Sequence, residues 1–259
     1  MTFFKEVWDI LVTYRDMLLS GVGYTMLIAL IGTVIGLIIG LITGIIRTIP
    51  RSKKTGVRVI QKIVDIIITV YVEIFRGTPM MVQAMVIFWG YAFAAGGNTL
   101  PLIPAGIFIV SINTGAYMAE IVRGGIISID KGQFEGAQAI GMNHFQTMVH
   151  VVIPQALRNI LPSISNEFVI NIKDTSVLNV IGVAELYYQA TKIQTMNYKI
   201  FQTYVIISVI YFIMTFLITR LLRLAEKLLA GKNNYTIMGS QSNPEAEIHI
   251  TEEAHGNER

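Results

Sequence analysis

An apolar stretch from Gly21 to Ile46, without a single charged residue, is the feature that most constrains this sequence. About 20 mostly apolar helical residues suffice to cross the ~30 Å hydrocarbon core of a bilayer. Of the 259 residues, 53% are hydrophobic and only 14% are charged, whereas soluble domains carry about 25% charged residues. This composition excludes an ordinary soluble enzyme and a disordered chain. It predicts an all-α membrane protein that crosses the bilayer several times.

Four further apolar runs follow, and they predict five transmembrane helices in total. The second run, residues 63–95, is too long for one straight helix and is interrupted at Arg76-Gly77-Thr78-Pro79. The remaining runs cover residues 102–122, 160–181 and 203–222. We predict three regions: a retained amphipathic, extracytoplasmic N-terminal segment (1–20), a transmembrane domain (21–228) and a flexible, glutamate-rich cytoplasmic tail (229–259).

The lysines and arginines next to the spans predict the orientation, because cytoplasmic loops carry an excess of them. Four lie on the side of the N-terminus: Lys5, Arg15, Lys192 and Lys199. Thirteen lie on the other side: Arg47, Arg51, Lys53, Lys54, Arg58, Lys62, Arg123, Lys131, Arg158, Arg220, Arg223, Lys227 and Lys232. We therefore expect the N-terminus outside and the C-terminus in the cytoplasm.

Residue types for catalysis and cofactor binding are scarce. The chain has no cysteine, which excludes disulfides and thiolate metal sites, and its four histidines lie outside the apolar runs. The nearest approach to a phosphate-binding loop is Gly231-Lys232, but Glu226 replaces the first glycine and Asn233 replaces the Ser/Thr that binds magnesium. We expect no metal, no cofactor, no nucleic acid and no catalytic residue in this chain.

The cytoplasmic segment between the third and fourth spans contains a predicted helix at about residues 131–143. Small residues follow Glu135, so another protein can approach this helix closely, and Gly141 supplies the left-handed turn that ends it. From the residues alone, the helix is either a plain surface helix or a docking element. Pro154 marks the start of the next helix.

This segment resembles the E-A-A-x3-G-x9-I-x-L-P signature of the membrane subunits of bacterial ABC importers. It departs from that signature at Gly136, Val151 and Ile153, which keep its small or apolar character. Other motifs are similar to those of the polar amino acid permeases, which import histidine, arginine or glutamine. These motifs are Tyr71–Pro79, Asn113–Gly125, Pro154–Arg158, Asn166–Phe168 and Lys173–Leu178, and the resemblance covers residues 20–228.

The resemblance implies a five-span subunit with the core of a type I ABC importer permease in the bacterial inner membrane. It further implies a second permease subunit (a second copy or a paralogue), two cytoplasmic ATPases that bind ATP and magnesium, and an extracytoplasmic substrate-binding protein. The signature residues are then those of the coupling helix that docks on an ATPase: Glu135, Gly136, Ala137 and Gly141.

Two acids in the fourth span, Glu167 and Asp174, are candidate substrate ligands, because a charge at membrane depth is costly unless it is paired or hydrated. At 100° per residue they lie on one helical face, and Asn171 lies on the same stripe. Such a polar lane suits the ammonium group of an amino acid, and the resemblance assigns both acids to the substrate cavity. The alternative is an ion pair with Arg76, with Lys173 or with a partner chain.

The break in the second span and the third span supply the remaining candidates. At Thr78 the interruption exposes backbone N–H groups and the positive end of a half-helix, which suit a substrate carboxylate. Asn113, Thr114 and Tyr117 share one face, with Glu120 a turn further on, and are candidates for the wall of the same cavity. The alternative for Asn113 and Thr114 is hydrogen bonding between helices, and Arg76 either assists binding or pairs with Glu73.

Glycines recur every fourth residue in the first span, at Gly32, Gly36, Gly40 and Gly44. Such a stripe allows close helix packing, either within the chain or with another subunit. Two other functions compete with the importer hypothesis, an ion-coupled secondary amino acid carrier and a channel subunit. A carrier is disfavoured because the sequence shows no internal duplication, and a channel leaves the long cytoplasmic helix without a role.

Overall fold

The structure, a computed structural model, describes residues 2–230, and this part of the chain is entirely helical apart from its connections. The ten α-helices are α1 (Thr2–Thr13), α2 (Arg15–Ile46), α3 (Thr55–Gly77), α4 (Met80–Ala94), α5 (Leu102–Ile127), α6 (Lys131–Ala139), α7 (His144–Thr147), α8 (Ile153–Asp174), α9 (Leu186–Asn197) and α10 (Ile200–Ala230). A π-helical turn, Met148–Val152, joins α7 to α8, and a 3-10 turn, Thr175–Ile181, follows α8.

The predicted all-α fold is confirmed, and each predicted span corresponds to a helix or a helix pair. Within residues 2–230, three helices are long and apolar enough to cross a membrane: α2, α5 and residues Ile200–Leu228 of α10. The second span is divided between α3 and α4, and the fourth is α8, whose charged side chains make it less apolar. The predicted tail (229–259), with Gly231-Lys232, lies outside the described residues except for its first two.

The pairing of α2 with α5 holds the centre of the bundle together. The four glycines of α2 lie against α5, where Gly32 faces Val110, Gly36 faces Thr114, Gly40 faces Met118 and Gly44 faces Val122. Because both sets of residues advance in the same direction, the two helices run parallel. Within the described chain, the glycine stripe therefore packs against the chain's own helix, the first of the two alternatives.

The N-terminal segment differs from its predicted extent, because α2 already begins at Arg15 and α1 ends at Thr13. Ile10 is buried, while Phe4 and Trp8 are exposed on the other side of α1. Glu6 fastens α1 to the start of α10, since it accepts a hydrogen bond from Gln202 and lies 3.2 Å from the ammonium of Lys199. These two partners hold the pKa of Glu6 below its usual value.

One helix, α9, lies in a stretch for which the sequence analysis made no prediction. Its first turn is capped by Glu185, a fully buried carboxylate that accepts hydrogen bonds from the N–H groups of Tyr187 and Tyr188 and from the hydroxyl of Tyr211. These bonds tie α9 to α10. An acidic residue directly before a helical stretch was the available signal.

We predict that Gly40→Ala destabilises the protein, because a Cβ at this position overlaps the Cβ of Met118 and lies 2.7 Å from its carbonyl carbon. Overpacking of this kind costs about 1–3 kcal/mol. Gly23→Ala in the same helix is the matched control, since a Cβ there meets nothing within 4 Å. Thermal unfolding in detergent checks the prediction: the midpoint should fall for Gly40→Ala only, and equal midpoints for both variants contradict it.

Candidate functional site

Side-chain hydrogen bonds fix the geometry of the break between α3 and α4. α3 ends at Gly77, and Thr78 and Pro79 separate it from α4. The buried amide of Gln83 donates to the carbonyls of Phe75 and Thr78, both at 2.9 Å. Asn113 on α5 donates in turn to the Gln83 side-chain oxygen at 2.8 Å. The predicted interruption therefore exists, and α5 holds its geometry.

Two of the candidate substrate residues, Thr78 and Asn113, belong to this hydrogen-bonded group. The Thr78 hydroxyl accepts from Gln83 and donates to the carbonyl of Ile74 at 2.7 Å. The N–H groups of Met80 and Met81, the first two of α4, have no acceptor within their own helix, whereas those of Val82 and Gln83 donate to the Pro79 carbonyl. The backbone at the start of α4, rather than the Thr78 hydroxyl, thus offers donors for an anionic group.

A second polar group joins α2, α5 and α8. Asn171, which is only 3% exposed, donates to the Thr33 hydroxyl at 2.7 Å and accepts from the Thr114 hydroxyl at 3.1 Å. Thr33 donates to the carbonyl of Ala29. These bonds favour the interhelical alternative for Thr114 and give Asn171 a positioning role. A direct contact of either residue with substrate stays a prediction.

The two acids of α8 lie beside this group and are only partly buried. In the described part of the chain neither Glu167 nor Asp174 forms an ion pair. Glu167 precedes Asn171 by four residues and Asp174 follows it by three, and the bond of Asn171 to Thr114 holds this part of α8 against α5. Arg76, at the end of α3, stacks over the ring of Tyr117 at 5.6 Å from its centre. The candidate substrate site within the helical bundle thus combines two carboxylates, a guanidinium and a phenol.

Glu120, expected one turn after Tyr117 on the same face of α5, forms two ion pairs in the described structure. It pairs with Arg47 at the end of α2 and with Arg123 one turn along α5, the latter at 2.8 Å. Arg47 also lies 3.7 Å from Asp65 on α3. Glu120 therefore belongs to an ion-pair cluster that joins α2, α3 and α5. This cluster accounts for a carboxylate at this position without any contact to substrate.

The segment between α5 and α8 forms the two short helices α6 and α7. Asp130 caps α6 by accepting a hydrogen bond from the Gly132 N–H at 2.7 Å. The helix ends at Ala139, four residues before the predicted end, and Gly141 then takes the expected left-handed conformation with a φ of 84°. Pro154 lies in the first turn of α8, as predicted.

The four predicted coupling residues differ in exposure. Glu135, Gly136 and Gly141 are exposed, whereas Ala137 is buried against its own chain. Two large apolar side chains near them, Ile140 and Phe145, are 76% and 74% exposed. The sequence analysis did not single them out, although an isoleucine and a phenylalanine in a polar segment were a usable signal. The exposed surface therefore combines one acid with two apolar side chains.

The comparisons with known proteins agree with this geometry. Residues 54–230 match the family described as "Binding-protein-dependent transport system inner membrane component". The chain belongs to this family. The expected resemblance to ABC importer permeases is thereby confirmed.

Two similar proteins are named as permeases of amino acid transport systems. The glutamine transport system permease protein GlnP of Escherichia coli (strain K12) is 39% identical over 158 residues, which cover 61% of this chain and 72% of GlnP. The L-cystine transport system permease protein TcyB of Bacillus subtilis (strain 168) is 41% identical over 164 residues, which cover 63% of this chain and 69% of TcyB.

Solved structures show the same fold. An amino acid ABC transporter crystallised with histidines superposes with a TM-score of 0.72 at 36% identity, covering 84% of this chain and 96% of that one. The inward-facing MetNI methionine ABC transporter superposes with a TM-score of 0.69 at 18% identity, which establishes a shared fold. This inner-membrane transport component therefore has the permease fold of ABC importers, and members of its family work with an ATPase and a binding protein.

We predict that Asn171→Leu lowers the thermal midpoint, because it leaves the buried hydroxyls of Thr33 and Thr114 without their shared partner. Unsatisfied buried groups cost about 1–3 kcal/mol. Lys173→Leu, at an exposed position two residues away, is the control and should leave the midpoint nearly unchanged. An unchanged midpoint for Asn171→Leu, with weaker substrate binding, would instead assign the amide to the substrate.

Proposed function

We propose that this chain is the permease subunit of an ATP-driven importer of polar amino acids. The observation that carries the proposal is the polar group of Arg76, Tyr117, Glu167 and Asp174, in which Arg76 lies over Tyr117 and the Thr114–Asn171 bond holds the acidic part of α8 against α5. Charged groups at membrane depth are expensive unless they serve a pathway or a partner. The relatives named for glutamine and cystine transport support a polar amino acid as the substrate class.

A zwitterionic substrate matches the chemistry of this group. Its ammonium suits Glu167 and Asp174, which have no cationic partner at ion-pair distance in the described chain. Its carboxylate suits the start of α4, where free N–H groups and the positive end of the helix dipole coincide. Arg76, in the last turn of α3, lies over the ring of Tyr117 and adds a positive charge to the same region. The site is thus complementary to both ends of an amino acid.

The chain itself hydrolyses no ATP in this proposal, and nucleotide and magnesium bind to two partner ATPases. The exposed surface of Glu135, Gly136, Ile140 and Phe145 docks into a groove of one ATPase, and a second permease subunit binds the other. A binding protein delivers the amino acid from the outer side. The ATPase moves α6, and the π-helical turn Met148–Val152 connects this segment to α8, which carries the substrate acids.

In the proposed orientation the N-terminus is outside and the C-terminus is cytoplasmic. The parallel course of α2 and α5 supports it, because it places Arg47 and Arg123 at the same end of the bundle. The segment with α6 follows α5 at that end. An ion-coupled carrier is not favoured, since the comparisons identify components of binding-protein-dependent systems.

We predict that Glu167→Gln and Asp174→Asn weaken the stimulation of ATPase activity by substrate-loaded binding protein and leave basal activity nearly unchanged. Losing a charged hydrogen-bond partner costs about 1.5–3 kcal/mol, which corresponds to a reduction in substrate affinity of roughly tenfold or more. ATP hydrolysis by the reconstituted complex, with and without substrate, measures both quantities. An equal loss of basal and stimulated activity indicates that the acids stabilise the complex rather than bind substrate.

We predict that Glu135→Lys abolishes uptake while the subunit stays in the membrane, because it reverses the charge on the docking surface. Gln133→Lys is the matched control. It adds the same charge to α6, but 200° around the helix from Glu135, where Gln133 accepts a hydrogen bond from Gln155 of its own chain. Uptake of radiolabelled glutamine in proteoliposomes checks the prediction. Normal uptake by Glu135→Lys removes the docking assignment.

A further inference from the structure

α3 carries a line of polar side chains along most of its length. Asp65, Thr69, Glu73 and Arg76 are spaced by four, four and three residues, so they share one helical face. Asp65, Glu73 and Arg76 are exposed and Thr69 is half-buried. From the sequence, two roles were expected for Arg76, either assistance in substrate binding or an ion pair with Glu73. No such pair between Glu73 and Arg76 is present in the described structure, because Arg76 turns to Tyr117.

The other two faces of α3 have clear partners. One face packs against α5, with Ile68 and Val72 buried around Ala119 and the Tyr71 hydroxyl donating to the carbonyl of Ile112 at 2.6 Å. A second face exposes the branched apolar side chains of Ile63, Ile66, Ile67, Val70 and Ile74, which suit lipid. Lipid cannot cover the third, polar face, because it offers nothing to solvate a carboxylate.

The polar face connects two places already described. At one end, Arg76 lies over Tyr117 of the candidate substrate site. At the other end, Asp65 approaches Arg47, which pairs with Glu120. Thr69 and Glu73 lie between these ends, near the level at which Tyr71 contacts the middle of α5. The line therefore runs from the substrate site to the ion-pair cluster of α2, α3 and α5.

We propose that the polar face of α3, formed by Asp65, Thr69 and Glu73, is a wall of the water-filled path by which the amino acid leaves its site for the cytoplasm. Glu73 receives the ammonium group after Glu167 and Asp174 release it. Asp65 lies at the exit, beside the ion pair of Arg47 and Glu120. This inference rests on the proposed function and extends it from the binding site to the exit path.

Cysteine accessibility tests the wall directly, because the chain has no cysteine of its own. Thr69→Cys and Glu73→Cys probe the polar face, and Val70→Cys and Ile74→Cys probe the apolar face one residue further along. Both control side chains are about half exposed in this chain, at 48% and 52%. Labelling of each variant by a cationic methanethiosulfonate is measured in the assembled, reconstituted complex with its ATPases and binding protein.

We expect the cysteines at 69 and 73 to react at least about tenfold faster than those at 70 and 74, because only a hydrated thiol forms the reactive thiolate. Excess amino acid substrate with vanadate-trapped ATPase should change the rate at 73 and leave the rate at 70 unchanged. Equal rates on both faces overturn the proposal. So does an unreactive cysteine at both 69 and 73, since it shows that a second subunit seals this face.

The outcome is distinguishable from a failure of the proposed function. Uptake by each unlabelled cysteine variant is measured in the same vesicles. If uptake depends on ATP but the cysteines at 69 and 73 are unreactive, the importer function stands and the assignment of α3 as a wall of the exit path is wrong. If the complex with the unsubstituted chain shows no ATP-dependent uptake, the proposed importer function is wrong, whatever the labelling pattern.

Discussion

The close approach of α2 and α5 is the contact on which the rest of the bundle depends. Lipid gives helices no hydrophobic reason to associate, so association relies on dispersion and on polar contacts at short range. The four glycines of α2 allow α5 to approach closely, and this approach brings Thr33 near enough for Asn171 to bond to both Thr33 and Thr114. The packed contact between α2 and α5 thus fixes the position of α8, and with it the two acids, relative to α5.

The free-energy cost of placing a charged side chain in a bilayer explains where the charged groups lie. Arg47, Glu120 and Arg123 satisfy one another, and Glu185 is satisfied by two backbone amides and a tyrosine. Glu167, Asp174 and Glu73 form no ion pair in the described chain. We infer that they are kept for a charged solute. On this inference, the carboxylates that hold the fold together are distinct from those that line the proposed pathway.

The motion required of a transporter also follows from this arrangement. α6 is short, capped by Asp130 and ended by Gly141, so it is a compact element that an ATPase can push as a unit. It connects through α7 and a π-helical turn to α8. In the proposed mechanism, a displacement of this cytoplasmic segment reaches Glu167 and Asp174 along a single stretch of chain.

Much of the fold was predictable because hydrophobicity and helix-breaking residues act locally. The uncharged run of α2, the break before Pro79 and the turn at Gly141 depend on a few neighbouring residues, and the structure places all three as expected. α9 was missed because it is short and mixed in polarity, so no periodic apolar pattern marks it. The partners of Asn171 and Glu120 could not be predicted, since Thr33 and Arg47 are distant in sequence and only the packed bundle brings them together.

The central claim is that this chain is a passive gate moved by the ATP hydrolysis of a partner. Flux of radiolabelled amino acid into proteoliposomes tests it most directly, with the chain alone compared with the full complex of permease, ATPases and binding protein. The account predicts no flux through the chain alone and accumulation by the full complex only when ATP is hydrolysed. Amino acid movement through the isolated chain, down or against a gradient, would contradict it.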